Sequence, residues 1–209
     1  MNKSRILVFG AHPDDIEVGC GGTVAKYTKN GHDVLCVVCV IPNNHKLRKM
    51  EAMKSAEILD AKILFLDTDP NNFILNRQLI EQFDNIINEY NPDIVFTHWK
   101  QDSHQDHRVV CDATIASSRK NKHSLYMYEQ TIPGGIVPYG FLPQMYINIS
   151  DTIDQKIKSI LSHASEVDKH NKDRIWEYGI KGRASYRGYQ INEKYAEAFE
   201  VVKEIKNII

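Results

Sequence analysis

Short apolar runs alternate with amphipathic stretches over the first two thirds of the chain. Arg5–Phe9 (RILVF), Val34–Ile41 (VLCVVCVI), Ile63–Leu66 (ILFL) and Ile94–Thr97 (IVFT) are brief, continuous and rich in branched residues, the pattern of strands buried on both faces. Between them, helical spacing takes over. A first helix is expected from about Gly22 to Asn30, with Gly31 as its left-handed cap. A second covers His45–Leu59, where Leu47, Met50, Met53 and Ile58 recur near helical spacing. A third covers Arg77–Tyr90, with Leu79, Phe83, Ile86 and Ile87 on one stripe and Pro92 closing it. A fourth starts within His104–His107 and carries Val109, Val110, Ala113 and Ala116. Beyond Ser124, LYMYE (125–129) and MYINI (145–149) read as strands around a Gly/Pro-rich loop, Ile132–Pro143, and helical patterns follow at Thr152–Val167 and Tyr195–Ile208.

Strands separated by helices of this length need right-handed crossovers, which yield a parallel sheet covered on both faces. The expected fold is therefore α/β: a three-layer, Rossmann-like, doubly wound and mainly parallel sheet with strand order 3-2-1-4-5. No internal repeat, low-complexity tract or linker divides the chain, so residues 1–209 are expected to form a single domain.

Composition narrows the function classes. With 209 residues, 42% hydrophobic and 25% charged, the chain can bury a full core and is neither disordered nor fibrous. Its 26 basic and 27 acidic residues leave a net charge of -1, without the concentrated cationic excess that nucleic acid binding requires. No apolar run approaches the roughly 20 residues of a membrane span, and the start, MNKSRILVFGAH, leads from a short basic head straight into a strand. A cytoplasmic location is expected. The four cysteines do not form a disulfide framework. Cys36 and Cys39 have CxxC spacing, but on a strand residues three apart face opposite sides and cannot chelate one ion, so both are read as core.

Polar residues concentrate in two segments, each directly after a strand: AHPDDIEVGCGGT (11–23) after the first, and HWKQDSHQDHR (98–108) after the fourth. In the expected order those strands are neighbours, and ligands bind at the carboxyl ends of strands where the winding reverses. Two distant segments thus meet at one site. His12 and Asp15, in a turn stiffened by Pro13, and His107, at a helix opening, make two imidazoles and a carboxylate, a donor set that leaves zinc an open position. Another divalent ion would also suit. Asp14 is then free to act as general base, His104 can stabilise developing charge or protonate a leaving amine, and Asp106 can orient an imidazole.

Plainer readings exist for each piece. HxxD occurs in ordinary turns, and the histidine-rich segment could be a solvated loop. The glycines of GCGGT come too late after the strand for a dinucleotide fingerprint; they more simply let a helix pack closely near the metal loop, although their N–H groups could hold an anion. Arg48 and Glu51 could be a surface ion pair, or Arg48 could reach a substrate hydroxyl or phosphate. His98 stays open because it lies close to the site. His32, His45, His123, His163 and His170 are read as surface or loop residues.

AHPDDIEVGCGGT resembles the N-terminal signature of the PIG-L/LmbE-like zinc-dependent N-deacetylases, and SHQDH (103–107) resembles their HxDH-type motif. RKMEAMKSAEIL (48–59) and YRGYQINEKYAEAF (186–199) are similar to further family segments, so the resemblance covers nearly the whole chain. It implies His12, Asp15 and His107 as zinc ligands, Asp14 as general base, His104 as stabiliser of the transition state with Asp106 tuning it, and Arg48 near the substrate. Many members have glutamate directly after the paired aspartates; here Ile16 stands there and Glu17 follows. Tyr186, Arg187 and Tyr189 are suggested as oxyanion contacts by the C-terminal segment alone. The implied activity is removal of an acetyl group from an N-acetylglucosamine-type sugar, a small-molecule partner, and the resemblance leaves room for a homo-oligomer. Alternatives are a zinc amidase for a non-sugar N-acyl amine, and a non-catalytic metal-containing module that binds a sugar or nucleotide.

Overall fold

The computed structural model describes residues 3–130, 135–170 and 174–206, with 169 and 170 described by backbone only. Seven strands form one sheet in the order β3-β2-β1-β4-β5-β7-β6. The strands are β1 (Arg5–Gly10), β2 (Asp33–Val38), β3 (Lys62–Phe65), β4 (Ile94–His98), β5 (Ser124–Tyr128), β6 (Met145–Asn148) and β7 (Ala196–Lys203). The helices are α1 (Asp15–Lys29), α2 (His45–Ile58), α3 (Arg77–Tyr90), α4 (Gln105–Ser117), α5 (Ile153–Leu161), α6 (Ala164–His170) and α7 (Ile175–Tyr189). Strands β1 to β5 are parallel in the expected order, while β7 runs antiparallel to both β5 and β6.

The two-residue period of β1 explains the layers. Leu7 and Phe9 join one core cluster with Phe83, Ile87 and Val110 of α3 and α4; Ile6 and Val8 join the opposite cluster with Cys20 and Val24 of α1. Cys36 and Cys39 fall into opposite clusters, as strand alternation requires, and all four cysteines are buried and free. Among the described residues, no helix is long and apolar enough to cross a membrane.

Several expectations need correction. The segment expected as a helix over Tyr195–Ile208 forms strand β7 instead, its end at 207–208 lying outside the described residues. Its apolar positions also fit helical spacing, but β5 otherwise presents an open edge and β7 pairs with it. Thr152–Val167 is broken at Ser162 and His163 into α5 and α6. Helix α7 was not anticipated because its glycines dilute the helical pattern. Of the loop Ile132–Pro143, residues 132–134 lie outside the described residues.

Helix α1 begins at Asp15, seven residues before the expected Gly22, with non-helical backbone at Cys20. Burial overrides the low helix propensity of its glycines. A Cβ at Gly19 would stand 2.3 Å from the Tyr128 ring, and one at Gly22 would stand 2.7 Å from Ile149, so glycine lets the kinked helix lie against β5 and against the segment that follows β6. The kink also releases backbone groups. The Val18 carbonyl accepts from Lys156 Nζ at 2.9 Å and Arg183 Nη2 at 2.6 Å, while the N–H groups of Gly22 and Thr23 donate to Glu197 at 3.0 and 2.7 Å. These glycine-rich N–H groups thus do hold an anion, an internal one. Lys156 completes the network by donating to Glu197, and both side chains are buried.

Lys156→Met removes the counter-charge from a buried carboxylate. A loss of about 3–5 kcal/mol is expected, read as a lower denaturation midpoint in urea. Adding Glu197→Gln should recover part of it; an unchanged midpoint in the single variant would contradict this account of the kink.

Candidate metal centre and substrate cavity

The loops that follow β1 and β4 converge, as adjacent parallel strands require. Asp14 has a left-handed backbone, φ 103°, which for a non-glycine residue stores on the order of 1–3 kcal/mol of strain. Immediately after it, Asp15 opens α1, and its carboxylate is the hub of the site. Oδ2 accepts the His12 N–H at 2.6 Å and lies 3.4 Å from His12 Nδ1; Oδ1 accepts from Gln130 Nε2 at 2.7 Å and lies 3.3 Å from His107 Nε2. His12, Asp15 and His107 are 8, 3 and 1% exposed, so the three are buried together.

From the β4 side, His104 caps α4 with its ring: Nδ1 accepts the Asp106 N–H at 3.2 Å. The neutral ring therefore carries its proton on Nε2. Asp106 Oδ2 pairs with His12 Nε2 at 2.9 Å. Donor atoms of His12, His104 and His107 lie within 4.8 Å of one another, and those of Asp15, His98 and His107 do likewise. Such a buried cluster of imidazole and carboxylate donors can bind a metal ion.

Electrostatics separates the two adjacent aspartates. Burial and the neighbouring Asp15 charge push Asp14 up to about 7. Burial also opposes charge on Asp15, but the imidazoles of His107 and His98 prevail and hold it well below the usual carboxylate range. His12 is lifted to about 9, because its bonds to Asp106 and Asp15 outweigh burial; His107 is lifted to about 10, because Asp15 and Asp102 outweigh burial. His104 moves the other way, lowered by burial and by the charges of His12 and His107.

Asp102 was missed in the sequence. Its Oδ2 lies 3.0 Å from His107 Nδ1 and its Oδ1 accepts the His104 N–H at 2.9 Å, so it orients both histidines. The signal was an Asx-type turn, Asp-Ser-His, just before a helix. His98, left open above, is fully buried, stacks on His107 at 4.0 Å and accepts the Ala11 N–H at 2.9 Å through Nε2. That bond occupies the nitrogen nearest Asp15, which makes His98 a support for the site.

A cavity of about 590 Å³ opens on this cluster, within the range of small-molecule sites. His12, Asp14, Asp15, His104 and His107 form its floor, and Arg48, Gln130, Glu129, Glu166, Trp176 and Arg183 are among its walls. Arg48 is buried and does not pair with Glu51 on the surface. Its Nη2 donates to the Pro13 carbonyl at 3.0 Å and lies 3.8 Å from Asp14 Oδ2, while Glu51 accepts the Ser165 N–H at 2.8 Å at the start of α6. Two histidines read as surface residues are buried: His163 beside Glu17 at 3.3 Å, where the break between α5 and α6 turns it inward, and His123 bonded to Ser118 Oγ at 2.9 Å. His170 lies outside the described side chains. Tyr186 and Tyr189 are exposed and do not line the cavity, and Arg187 is held by Glu129, so none of these suggested oxyanion contacts faces the site.

Three comparisons bear on this geometry. Diacetylchitobiose deacetylase from Thermococcus kodakarensis is 27% identical over 225 aligned residues, spanning 96% of this chain and 84% of the relative. The solved structure of N,N'-diacetylchitobiose deacetylase from Pyrococcus horikoshii superimposes with a TM-score of 0.81 at 24% identity, over 96% of this chain and 84% of that one. GalB, the 4-carboxy-2-hydroxymuconate hydratase from Pseudomonas putida KT2440, superimposes with a TM-score of 0.80 at 20% identity, over 99% and 100% of the two chains. One fold thus carries different chemistries, and function has to be argued from the site. The PIG-L family model, described as GlcNAc-PI de-N-acetylase, matches residues 7–118, more than half of the 209. This chain belongs to the PIG-L family.

Proposed function

We propose that this protein is a zinc-dependent hydrolase that removes the acetyl group from an N-acetylglucosamine-type sugar, giving acetate and the free amine. The observation that carries the reading is that His12 and His107 both lie against the Asp15 carboxylate, and that all three line one cavity with a separate carboxylate, Asp14. The deacetylases to which the chain is similar support the substrate class.

His12, Asp15 and His107 would hold the ion. Their donor chemistry fits it: two imidazoles and one ionised carboxylate, with Gln130, Asp102 and Asp106 fixing their orientation. Lewis acidity that acidifies water and polarises an acyl carbonyl is the chemistry zinc supplies when bound. Asp14, raised toward neutrality, accepts the proton of the attacking water and delivers it to the departing nitrogen as the carbon–nitrogen bond breaks. His104 donates its Nε2 proton as a hydrogen bond to the negative charge that develops on the acyl oxygen; its lowered pKa keeps the ring neutral near pH 7. Arg48, on the cavity wall, steadies the strained Pro13–Asp14 turn.

A mass-spectrometric deacetylation screen over N-acetylglucosamine derivatives that differ only at the anomeric position tests this reading. At least one should lose its acetyl group. If all stay intact while a simple N-acyl amine is turned over, the sugar assignment is wrong.

Metal binding also has a definite pH dependence. His12 and His107, at about 9 and about 10, are protonated near neutrality, yet a ligating imidazole must be neutral. Binding at pH 7 should therefore expel about two protons per ion, and affinity should rise with pH. Calorimetry in buffers of different ionisation enthalpy measures this directly; proton release near zero would contradict the assignment of these ligands.

A further inference from the structure

Two arginines line the cavity, Arg48 and Arg183, and a third, Arg187, holds the lining residue Glu129. Two of the three are matched by acids. Arg48 lies 3.8 Å from Asp14 and 3.7 Å from Glu166, and Arg187 grips both oxygens of Glu129 at 2.6 and 2.8 Å. Arg183 is different. It donates Nη2 to the Val18 carbonyl at 2.6 Å, but among the described residues it forms no ion pair. Glu129 and Glu197, whose charges act on it, have their oxygens committed elsewhere: Glu129 to Arg187, Glu197 to Lys156 and the N–H groups of Gly22 and Thr23.

A guanidinium remains charged near neutrality, and a partly desolvated one favours an anionic oxygen partner in a forked, charge-assisted contact. Its position suits a substrate group. Val18, which anchors Arg183, follows Asp15 by three residues on α1, about one helical turn or roughly 5 Å along the cavity wall. That offset is comparable to the width of a sugar ring.

We propose that Arg183 is a specificity-determining residue that binds an anionic oxygen group, phosphate or carboxylate, carried by the sugar away from its acetamide, so that the preferred substrate is an acidic glycoside. The sugar in this statement rests on the deacetylase reading, whereas the anion rests on Arg183 alone.

The test compares methyl N-acetylglucosaminide, N-acetylglucosamine 1-phosphate and a carboxymethyl N-acetylglucosaminide, with calorimetric binding and acetate release both measured on the zinc-loaded protein. One or both acidic probes should bind and turn over roughly 10- to 100-fold better than the neutral one. In Arg183→Met the ratio of acidic to neutral should fall to about one, and Arg183→Lys should keep part of it. Preference for only one acidic probe identifies phosphate or carboxylate as the group recognised. Equal binding of all three by the wild type, or an undiminished ratio in Arg183→Met with a normal melting temperature, overturns the inference. Acidic preference in binding without acetate release from any probe would uphold Arg183 and count against the deacetylase reading instead.

Discussion

Asp14→Asn is expected to lower kcat by roughly 10²- to 10⁴-fold, the usual contribution of a positioned general base, while leaving KM and bound metal near wild type. The side chain keeps its shape but can no longer take a proton. Its suitability as a base follows from its surroundings. Burial and the adjacent Asp15 charge raise it to about 7, whereas Asp15, one residue along, is held ionised by His107 and His98. Two neighbouring carboxylates thus acquire different tasks from different contacts. The left-handed backbone of Asp14 supports the same division, since it turns one carboxylate toward Arg48 and the other toward the histidines. Metal content by atomic emission alongside steady-state kinetics separates the outcomes. Full activity in Asp14→Asn would remove the base from the mechanism, and loss of metal would recast Asp14 as a ligand.

Asp15→Ala should have the larger effect: no stoichiometric metal and activity below that of Asp14→Asn. Its carboxylate joins His12, Gln130 and His107, and without it the proposed ligand set loses its anionic donor and both imidazoles lose the group that orients them. Breaking a buried charge network of this kind is also expected to destabilise the fold, by about 3–5 kcal/mol. For that reason metal content is to be measured on protein that still gives a cooperative melt. A folded Asp15→Ala protein with one tightly held ion would show that the ligand set lies elsewhere in the cluster, with His98 and His104 the candidates that remain within reach.

Much of the fold is legible in the sequence. The strands β1, β2, β4 and β5 are nearly continuous apolar runs because both of their faces are covered, and their order follows from crossover handedness, which in turn brings residues 11–15 beside residues 104–107. The last third was harder to read. Tyr195, Ala198, Phe199 and Val202 suit a helix as well as a strand, and only the open edge of β5 decides between them. Asp15–Gly19 is helical in spite of Gly19 because the Tyr128 ring fills the space a side chain would take. At the site, the groups proposed to act stand in motifs, while Asp102 and Gln130, which hold His104, His107 and Asp15, carry no repeated spacing to mark them. His163 and His123 illustrate the same limit, since a lone histidine in a polar stretch carries no sign that a neighbouring element will cover it.

The central claim, a metal-dependent N-deacetylation carried by one buried cluster, is tested most directly by acetate release from an N-acetylglucosamine derivative as chelated protein is titrated with zinc. The account predicts no release from the chelated protein and activity that climbs linearly to a plateau at one equivalent, as a single ion held by His12, Asp15 and His107 requires. Full acetate release by the chelated protein, with no response to added zinc, would contradict it.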